Sequence, residues 1–333
     1  MKVLLVGAGV IGTVYGAHLA AAGHEVDVLA HPPRTDDVAL RGLAVRDVLT
    51  GSRTDVPARV VSDPAAERYD LVLVTVRSDQ LTAACAELSG LTGLTGGPAL
   101  LFFGNNPAGR RAIPATVPGE VRLGFPGVGG VIRDGDAEYV RIRQQPTALP
   151  ATGDPRLAEV ERTLRQRGFS VQRVTDMDGW LAYHAAFVAC VAAALYRCGT
   201  DPVRLAADRP VLRLMCTAVT EAFAALRRMD VAGRPRNLAV LHSSLLKPLA
   251  VRYWARTMRS PMGELCFAAH SRHAEAEMRA LGGHVYRQVA DDPRAGHVRE
   301  LLEIADALPA GQGPGPASGA WPALGPIRTA RRQ

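Results

Sequence analysis

Three glycines near the N-terminus have the spacing of a turn that binds phosphate groups. They lie in Gly7-Ala8-Gly9-Val10-Ile11-Gly12, which follows the apolar run Lys2–Val6 and leads into the alanine-rich run Ile11–Ala22. In a strand–turn–helix unit the first glycine permits the tight turn, the second lets the backbone approach a pyrophosphate, and the third lets helix and strand pack closely. The helix N-terminus then attracts the negative charge. The segment predicts a dinucleotide cofactor bound by Gly7, Ala8, Gly9, Val10, Ile11 and Gly12.

The end of the next strand bears on which dinucleotide binds. Val26–Leu29 reads as a buried strand and is followed by Ala30-His31-Pro32-Pro33-Arg34. An acid at this corner would hold the ribose 2′-hydroxyl of NAD, whereas a basic group would hold the 2′-phosphate of NADP. The corner has no carboxylate, and His31 and Arg34 could meet a phosphate. We therefore predict NADP(H), with ordinary loop residues as the alternative reading of this pair.

Two further loops follow strands of the same kind. Arg77 comes after Asp70–Val76, and Asn105 comes after Ala99–Phe103. Ligands of open α/β sheets bind outside the carboxyl ends of the strands. Both side chains are therefore candidates for the nicotinamide end of the site, although Asn and Gly are also common in plain turns.

The alternation of short apolar runs with helical stretches up to residue 174 predicts a Rossmann domain, an α/β fold with a doubly wound, mostly parallel sheet. It is expected to close with a helix at Pro155–Arg167, capped by Asp154, and a strand at Phe169–Val174. Residues 175–309 carry little strand signal and predict an all-α C-terminal domain for substrate binding or dimerisation. Its expected helices are Gly179–Arg197, Val211–Met229, Arg236–Met258 and His270–Val289. Residues 310–333 are crowded with Gly and Pro and predict a disordered tail.

Composition limits the class of protein. The chain has 333 residues, of which 47% are hydrophobic and 21% charged, as in soluble globular proteins. The net charge of +7 comes from dispersed arginines without a basic run or interleaved aromatics, so neither nucleic acid nor membrane is an expected partner. The five cysteines lack paired or metal-ligand spacing, which favours free thiols in a reducing, cytoplasmic setting and no metal site. A homodimer through the apolar helices is a possible assembly.

Beyond these motifs the sequence resembles the ketopantoate reductase family, which reduces a 2-oxo acid with NADPH. The resemblance covers most of residues 1 to about 290. Besides the glycine turn it rests on Ala39-Leu40-Arg41-Gly42-Leu43, Asp70-Leu71-Val72-Leu73-Val74-Thr75-Val76-Arg77, Gly104-Asn105-Asn106, Ser260-Pro261-Met262, and Glu277-Met278 followed by Leu281. It implies an active site in the cleft between the two domains, with Asn105 by the nicotinamide and substrate, and Ser260 and Asn106 binding substrate. Glu277 would hydrogen-bond a substrate hydroxyl or orient the acid.

The resemblance breaks at the proton donor. The family carries Trp-x-Lys-x-x-x-Asn on the helix that opens its second domain, and here Ala182 and Ala186 stand in place of the lysine and asparagine. A positioned acid contributes about 10²–10⁴-fold to such a reaction. Four side chains are candidates to replace the missing proton donor. His184 is favoured because the pKa of histidine lies near neutral pH, and Tyr183 is a second candidate on the same helix. His270 and Glu277, two helical turns apart, could form an acid–base pair. A packing histidine and a solvated helix face are the alternative readings of His184 and of the pair.

The sequence thus predicts an NADPH-dependent reductase of a 2-oxo acid or a related carbonyl or imine, with a small-molecule substrate. The missing lysine and asparagine argue against activity on 2-dehydropantoate itself. The alternative is a non-catalytic or non-redox protein on the same NADP-binding scaffold. A protein that had lost its catalytic function in evolution would be expected to lose both catalytic residues together.

Overall fold

A computed structural model describes residues 1–64, 67–89, 97–117 and 119–307. The strands in this part of the chain are β1 (Lys2–Val6), β2 (Glu25–Leu29), β3 (Leu43–Asp47), β4 (Arg53–Val56), β5 (Arg59–Val60), β6 (Leu71–Val74), β7 (Ala99–Phe103), β8 (Glu120–Gly124), β9 (Val128–Arg133), β10 (Asp136–Arg141), β11 (Thr147–Pro150) and β12 (Val171–Val174).

The helices in the same part of the chain are α1 (Val10–Ala20), α2 (Arg34–Arg41), α3 (Leu81–Leu88), α4 (Pro155–Gln166), α5 (Met177–Arg197), α6 (Pro202–Ala207), α7 (Arg209–Arg228), α8 (Arg236–Leu241), α9 (Lys247–Met258), α10 (Ala269–His273), α11 (Glu275–Val289) and α12 (Gly296–Ala307). A π-helical turn spans Gly263–Ala268 and leads directly into α10.

Six parallel strands form the central sheet in the order β5-β2-β1-β6-β7-β8. This is the order of a doubly wound dinucleotide-binding fold, with β1 at the point where the strand order reverses. The side chains from Val3 to Val6 are 0–2% exposed, because strands of a parallel sheet are covered on both faces. The predicted Rossmann sheet is confirmed, and the carboxyl ends of β1, β6 and β7 lie side by side.

A second sheet was missed by the sequence analysis. It has four strands in the order β4-β3-β10-β9, with a β9–β10 hairpin. These strands are short and largely polar or glycine-containing, such as Arg53–Val56 and Val128–Arg133, so they lack the apolar runs that marked the buried strands. The predicted strand at Phe169–Val174 exists as β12, but it pairs with β11 in a separate two-stranded sheet.

The C-terminal part is helical, as predicted, but two of the predicted helices are each broken in two. Arg236–Met258 divides into α8 and α9 because Ser243 is extended and Pro248 lies in the first turn of α9. His270–Val289 divides into α10 and α11 at Ala274, whose φ of −125° and ψ of 41° are not helical. The Asp154 cap of α4 is present and accepts a hydrogen bond from the Arg156 N–H.

Helix α5 runs through the middle of the helical part and packs against α7, α11 and α12. It is long and apolar enough to cross a membrane, yet 89% of its most apolar window is buried inside the protein, as in a core helix. The predicted tail at residues 310–333 lies outside the described residues. The division into two domains at residue 174 stays a prediction, although β12 ends and α5 begins at that point.

Candidate active site

A cleft of about 860 Å³ lies between the carboxyl edge of the central sheet and the helical part. One wall comes from the glycine turn and the loops after β2, β6 and β7. The other comes from α5, the π-helical turn, α10 and α11, with β9 along the base. A site at this edge of the sheet is where the order of the strands predicts ligand binding.

The glycine turn has the geometry that a dinucleotide requires. Gly7 has a φ of +92°, which favours glycine, and a Cβ at Gly12 would lie 2.0 Å from the Gly7 carbonyl oxygen. A Cβ at Gly9 would meet no protein atom within 4 Å, so this backbone faces open space in the cleft. Thr75, which the sequence analysis did not single out, donates from Oγ1 to the Gly7 carbonyl at 2.7 Å and fixes the turn. The residues present therefore fit a bound pyrophosphate.

The two basic candidates after β2 lie in different surroundings. The Arg34 side chain is 16% exposed, and its guanidinium donates to the Ala8 carbonyl at 2.8 Å and to the Asp37 carboxylate at 2.9 Å. Arg34 therefore braces the glycine turn. His31 is 74% exposed and lies 3.0 Å from the Glu87 carboxylate. His31 is the accessible basic group at this end of the cleft.

The family motif Trp-x-Lys-x-x-x-Asn implied that the face of α5 with Ala182 and Ala186 lines the active site. In the structure α5 presents a different face to the cleft. The residues that line the cleft are His184, Phe187, Val188, Val191 and Ala192. Their spacing places them on one face of the helix. Ala182 and Ala186 do not line the cleft and belong to the buried helical core, to which Phe187, Val191 and Ala192 also belong. The Tyr183 hydroxyl donates to the Val231 carbonyl at 3.0 Å and lies outside the walls of the cleft.

His184 lines the cleft, but its surroundings do not suit a proton donor. Its Nε2 lies 2.8 Å from Oε1 of Gln145, whose own Nε2 donates to the Pro126 carbonyl. This arrangement assigns the proton to His184 Nε2. Its Nδ1 is buried without a partner among the described residues, and burial lowers the pKa of His184 to about 3. The ring stacks on Trp180, with 5.0 Å between ring centroids. The expectation that His184 replaces the family lysine is not supported.

A second pair is better placed for proton transfer. Glu277 is 3% exposed, with Oε1 accepting a hydrogen bond from Asn105 Nδ2 at 3.4 Å and Oε2 lying 3.7 Å from His270 Nε2. The two residues belong to α11 and α10, so the break at Ala274, and not a shared helix face, brings them together. The His270 side chain is 39% exposed and lines the cleft.

Burial sets the protonation of this pair. Desolvation raises the pKa of Glu277 to about 7, although the Asn105 hydrogen bond opposes the shift. The pKa of His270 is lowered, chiefly by desolvation and to a smaller extent by the charges of Arg77 and His273. Near neutral pH His270 is therefore neutral and Glu277 is partly protonated, so Glu277 is the member of the pair that holds a transferable proton. Arg77 also lines the cleft, bonded to Asp79 at 3.0 Å, and is the nearby cation.

Residues 3–152, a little under half of the chain, match the family model described as ketopantoate reductase PanE/ApbA. This segment carries the domain that the model describes. The resemblance read from the sequence is thereby confirmed. No curated protein sequence matches the chain.

Solved structures of ketopantoate reductases share the fold over almost the whole chain. A PanE/ApbA family ketopantoate reductase from Ralstonia eutropha JMP134 is 23% identical, with 92% of this chain and 99% of that chain covered and a TM-score of 0.69. A probable 2-dehydropantoate 2-reductase from Bacillus subtilis is 15% identical, with 92% and 99% covered and a TM-score of 0.65. A D-mandelate dehydrogenase with NADH and anilino(oxo)acetate is 16% identical, with 92% and 97% covered and a TM-score of 0.69.

Two residues carried over from the ketopantoate reductase motifs lie outside the walls of the cleft. Ser260 Oγ donates to the Thr257 carbonyl at 2.6 Å, and Asn106 Nδ2 donates to the Gly109 carbonyl at 2.8 Å. Both are committed to local turns in this structure. Gln145, which fixes His184, was missed because it follows a hairpin with no motif to mark it. Thr75 could have been found from its place directly after a buried strand.

Proposed function

We propose that this chain is an NADPH-dependent reductase of 2-oxo acids. The observation that carries the proposal is the Glu277–His270 pair beside Asn105, in the same cleft as the glycine turn. A nicotinamide cofactor and a proton donor facing one cavity are the two components that carbonyl reduction requires. A cytoplasmic location and a homodimer are part of the same proposal.

The bound cofactor would supply a hydride to the carbonyl carbon of the substrate. The residues of the chain then have separate tasks. The glycine turn and the N-terminus of α1 hold the pyrophosphate. Glu277 is the source of the proton for the carbonyl oxygen and is left as a carboxylate, and the neutral His270 ring would relay this proton by accepting it at Nε2 and releasing the one at Nδ1. Arg77 attracts the substrate carboxylate, and Asn105 orients both Glu277 and the carbonyl. The pair thus takes over the task of the lysine that is absent at Ala182.

The pH dependence of reduction tests this assignment. Reduction draws a proton from the pair, so the rate is expected to be highest at low pH and to fall as pH rises through an apparent pKa near 7. Oxidation of the corresponding 2-hydroxy acid should show the opposite trend. The measurement is NADPH absorbance loss with a panel of 2-oxo acids across this range. A reduction rate that stays flat through neutral pH would contradict the role of the pair.

The panel also decides between the two functions. A protein that binds NADPH but oxidises it with no 2-oxo acid, aldehyde or imine would be the non-catalytic alternative. A protein that binds no nicotinamide nucleotide would contradict both readings.

NADPH is the proposed cofactor because the corner after β2 offers His31 and the loop itself carries no carboxylate between Ala30 and Pro33, while the Glu87 carboxylate of α3 lies 3.0 Å from His31. We expect His31→Ala to weaken NADPH binding by about 3- to 10-fold, which is the loss of one exposed hydrogen bond to the 2′-phosphate, and to leave NADH binding unchanged. Calorimetric titration of both nucleotides measures this. The control is His297→Ala, an exposed histidine paired with Glu221 on the helical part. Tighter binding of NADH than of NADPH by the wild-type protein would contradict the cofactor assignment.

A further inference from the structure

The wall of the cleft formed by α5 is apolar from Phe187 to Ala192, which is about one and a half helical turns. Phe187, Val188, Val191 and Ala192 face the cavity. Leu265 and Phe267 of the π-helical turn also line the cleft, and the rings of Phe187 and Phe267 meet edge to face with 6.3 Å between their centroids. Val188 and Phe267 are half-buried and the other four side chains are buried. We call the part of the cleft that these six residues line the inner chamber.

The inner chamber offers no free polar group from α5. His184 is the polar member of this face, and its Nε2 is bonded to Gln145 while its Nδ1 is inaccessible. The charged and amide side chains described above, Arg77, Asn105, His270 and Glu277, belong to other elements of the cleft. The resemblance had placed a lysine and an asparagine on this helix, and their positions are alanines that point into the helical core. The cleft is therefore divided into a polar side and an apolar side.

A cleft with one polar and one apolar side favours a substrate with one polar and one apolar end. We propose that the substrate is a 2-oxo acid with a bulky, uncharged apolar side chain, branched or aromatic, which occupies the inner chamber. The inference rests on the proposed reductase function and adds the substrate class. The carboxylate and carbonyl meet Arg77, Asn105 and the Glu277–His270 pair, and the side chain packs on α5. Burying such a side chain is favourable by about 25 cal/mol per Å², whereas a hydroxyl in the chamber would lose its water without gaining a partner.

Two substrates that differ by one hydroxyl give the sharpest test. 3,3-Dimethyl-2-oxobutanoate and 2-dehydropantoate have the same carbon skeleton, and the second adds one terminal hydroxyl. We expect kcat/KM to be about 10- to 100-fold higher for the compound without the hydroxyl, as expected for a polar group placed in an apolar pocket. Equal efficiency, or preference for 2-dehydropantoate, would overturn the proposal.

A variant of α5 ties the preference to the chamber. Val188 is partly exposed to the cleft, so Val188→Asn adds an amide that can pair with the hydroxyl. This variant should shift the ratio of kcat/KM toward 2-dehydropantoate by about tenfold, which is the value of one hydrogen bond. The control is Val203→Asn at an exposed position of α6, where the ratio should not change. If the ratio in Val188→Asn equals that of the wild type while its melting temperature is retained, the chamber does not hold the side chain.

A measurement of substrate binding distinguishes a failure of the proposed substrate class from a failure of the proposed reductase function. Calorimetry of the two acids on the protein saturated with NADP⁺ measures the preference without turnover. Tighter binding of the apolar acid in the absence of any turnover would refute the reductase function and retain the apolar chamber. Turnover of small 2-oxo acids such as glyoxylate as efficient as that of the branched acid would retain the function and refute the chamber.

Discussion

Replacing Glu277 with glutamine is expected to lower kcat for 2-oxo acid reduction by about 10²–10⁴-fold, the usual contribution of a positioned general acid. Glutamine keeps the shape and can still accept the Asn105 hydrogen bond, but it holds no transferable proton. Because Glu277 is buried and no cofactor contact is assigned to it, the affinity for NADPH should be unchanged. Steady-state kinetics and nucleotide titration on the same preparation measure both quantities.

The control for Glu277→Gln is Glu275→Gln, in the first turn of the same helix. Glu275 pairs with Arg279 and does not line the cleft, so activity should stay at the wild-type level. His270→Ala should cost a comparable factor, and the double variant should lose little more, since the two residues act as a unit. Wild-type kcat in Glu277→Gln would refute the proposed acid.

Stability supplies an independent check on the same variant. The pKa of Glu277 is raised from 4.5 to about 7 in the folded protein, so the folded state holds the proton more tightly than the unfolded state. The free energy of unfolding of the wild type should therefore fall as pH rises from 4.5 through 7, because a buried carboxylate must ionise. Glu277→Gln lacks this loss and should be the more stable protein above neutral pH. A folded and stable variant excludes misfolding as the cause of lost activity.

Replacing Gly9 with valine is expected to weaken NADPH binding by about 100-fold, near 2.7 kcal/mol, and to leave the melting temperature unchanged. Gly9 has a φ of −71° and a ψ of −170°, which other residues adopt, and its Cβ would meet no protein atom within 4 Å. Any loss must therefore come from the space that the pyrophosphate occupies. Nucleotide titration and thermal unfolding measure the two effects.

The matched controls for Gly9→Val are two other glycines. Gly296→Val lies at the start of α12, also with no atom within 4 Å of its Cβ, and should leave NADPH binding unchanged. Gly12→Ala should lower stability as well as binding, because its Cβ would lie 2.0 Å from the Gly7 carbonyl oxygen and 2.6 Å from Thr75 Oγ1. Unchanged NADPH affinity in Gly9→Val would contradict the placement of the cofactor.

The sequence by itself determined the central sheet and the cofactor turn. Strands such as Lys2–Val6 and Ala99–Phe103 are continuous apolar runs, and their bounds match the structure because a strand buried on both faces must be apolar along its length. The glycine turn could be read for a similar reason, since its function depends on backbone geometry between neighbours in sequence. The half-exposed strands of the second sheet carried no such signal.

Only the tertiary structure decided the catalytic assignment. The face that α5 presents to the cleft depends on how the helix packs against α7, α11 and α12, and this packing turns His184 inward and buries Ala182 and Ala186. The protonation of His184 depends on Gln145, which is 39 residues away in sequence. The Glu277–His270 pair depends on a helix break that periodicity did not predict. Desolvation and pairing across elements set these pKa values, and neither property belongs to a residue type alone.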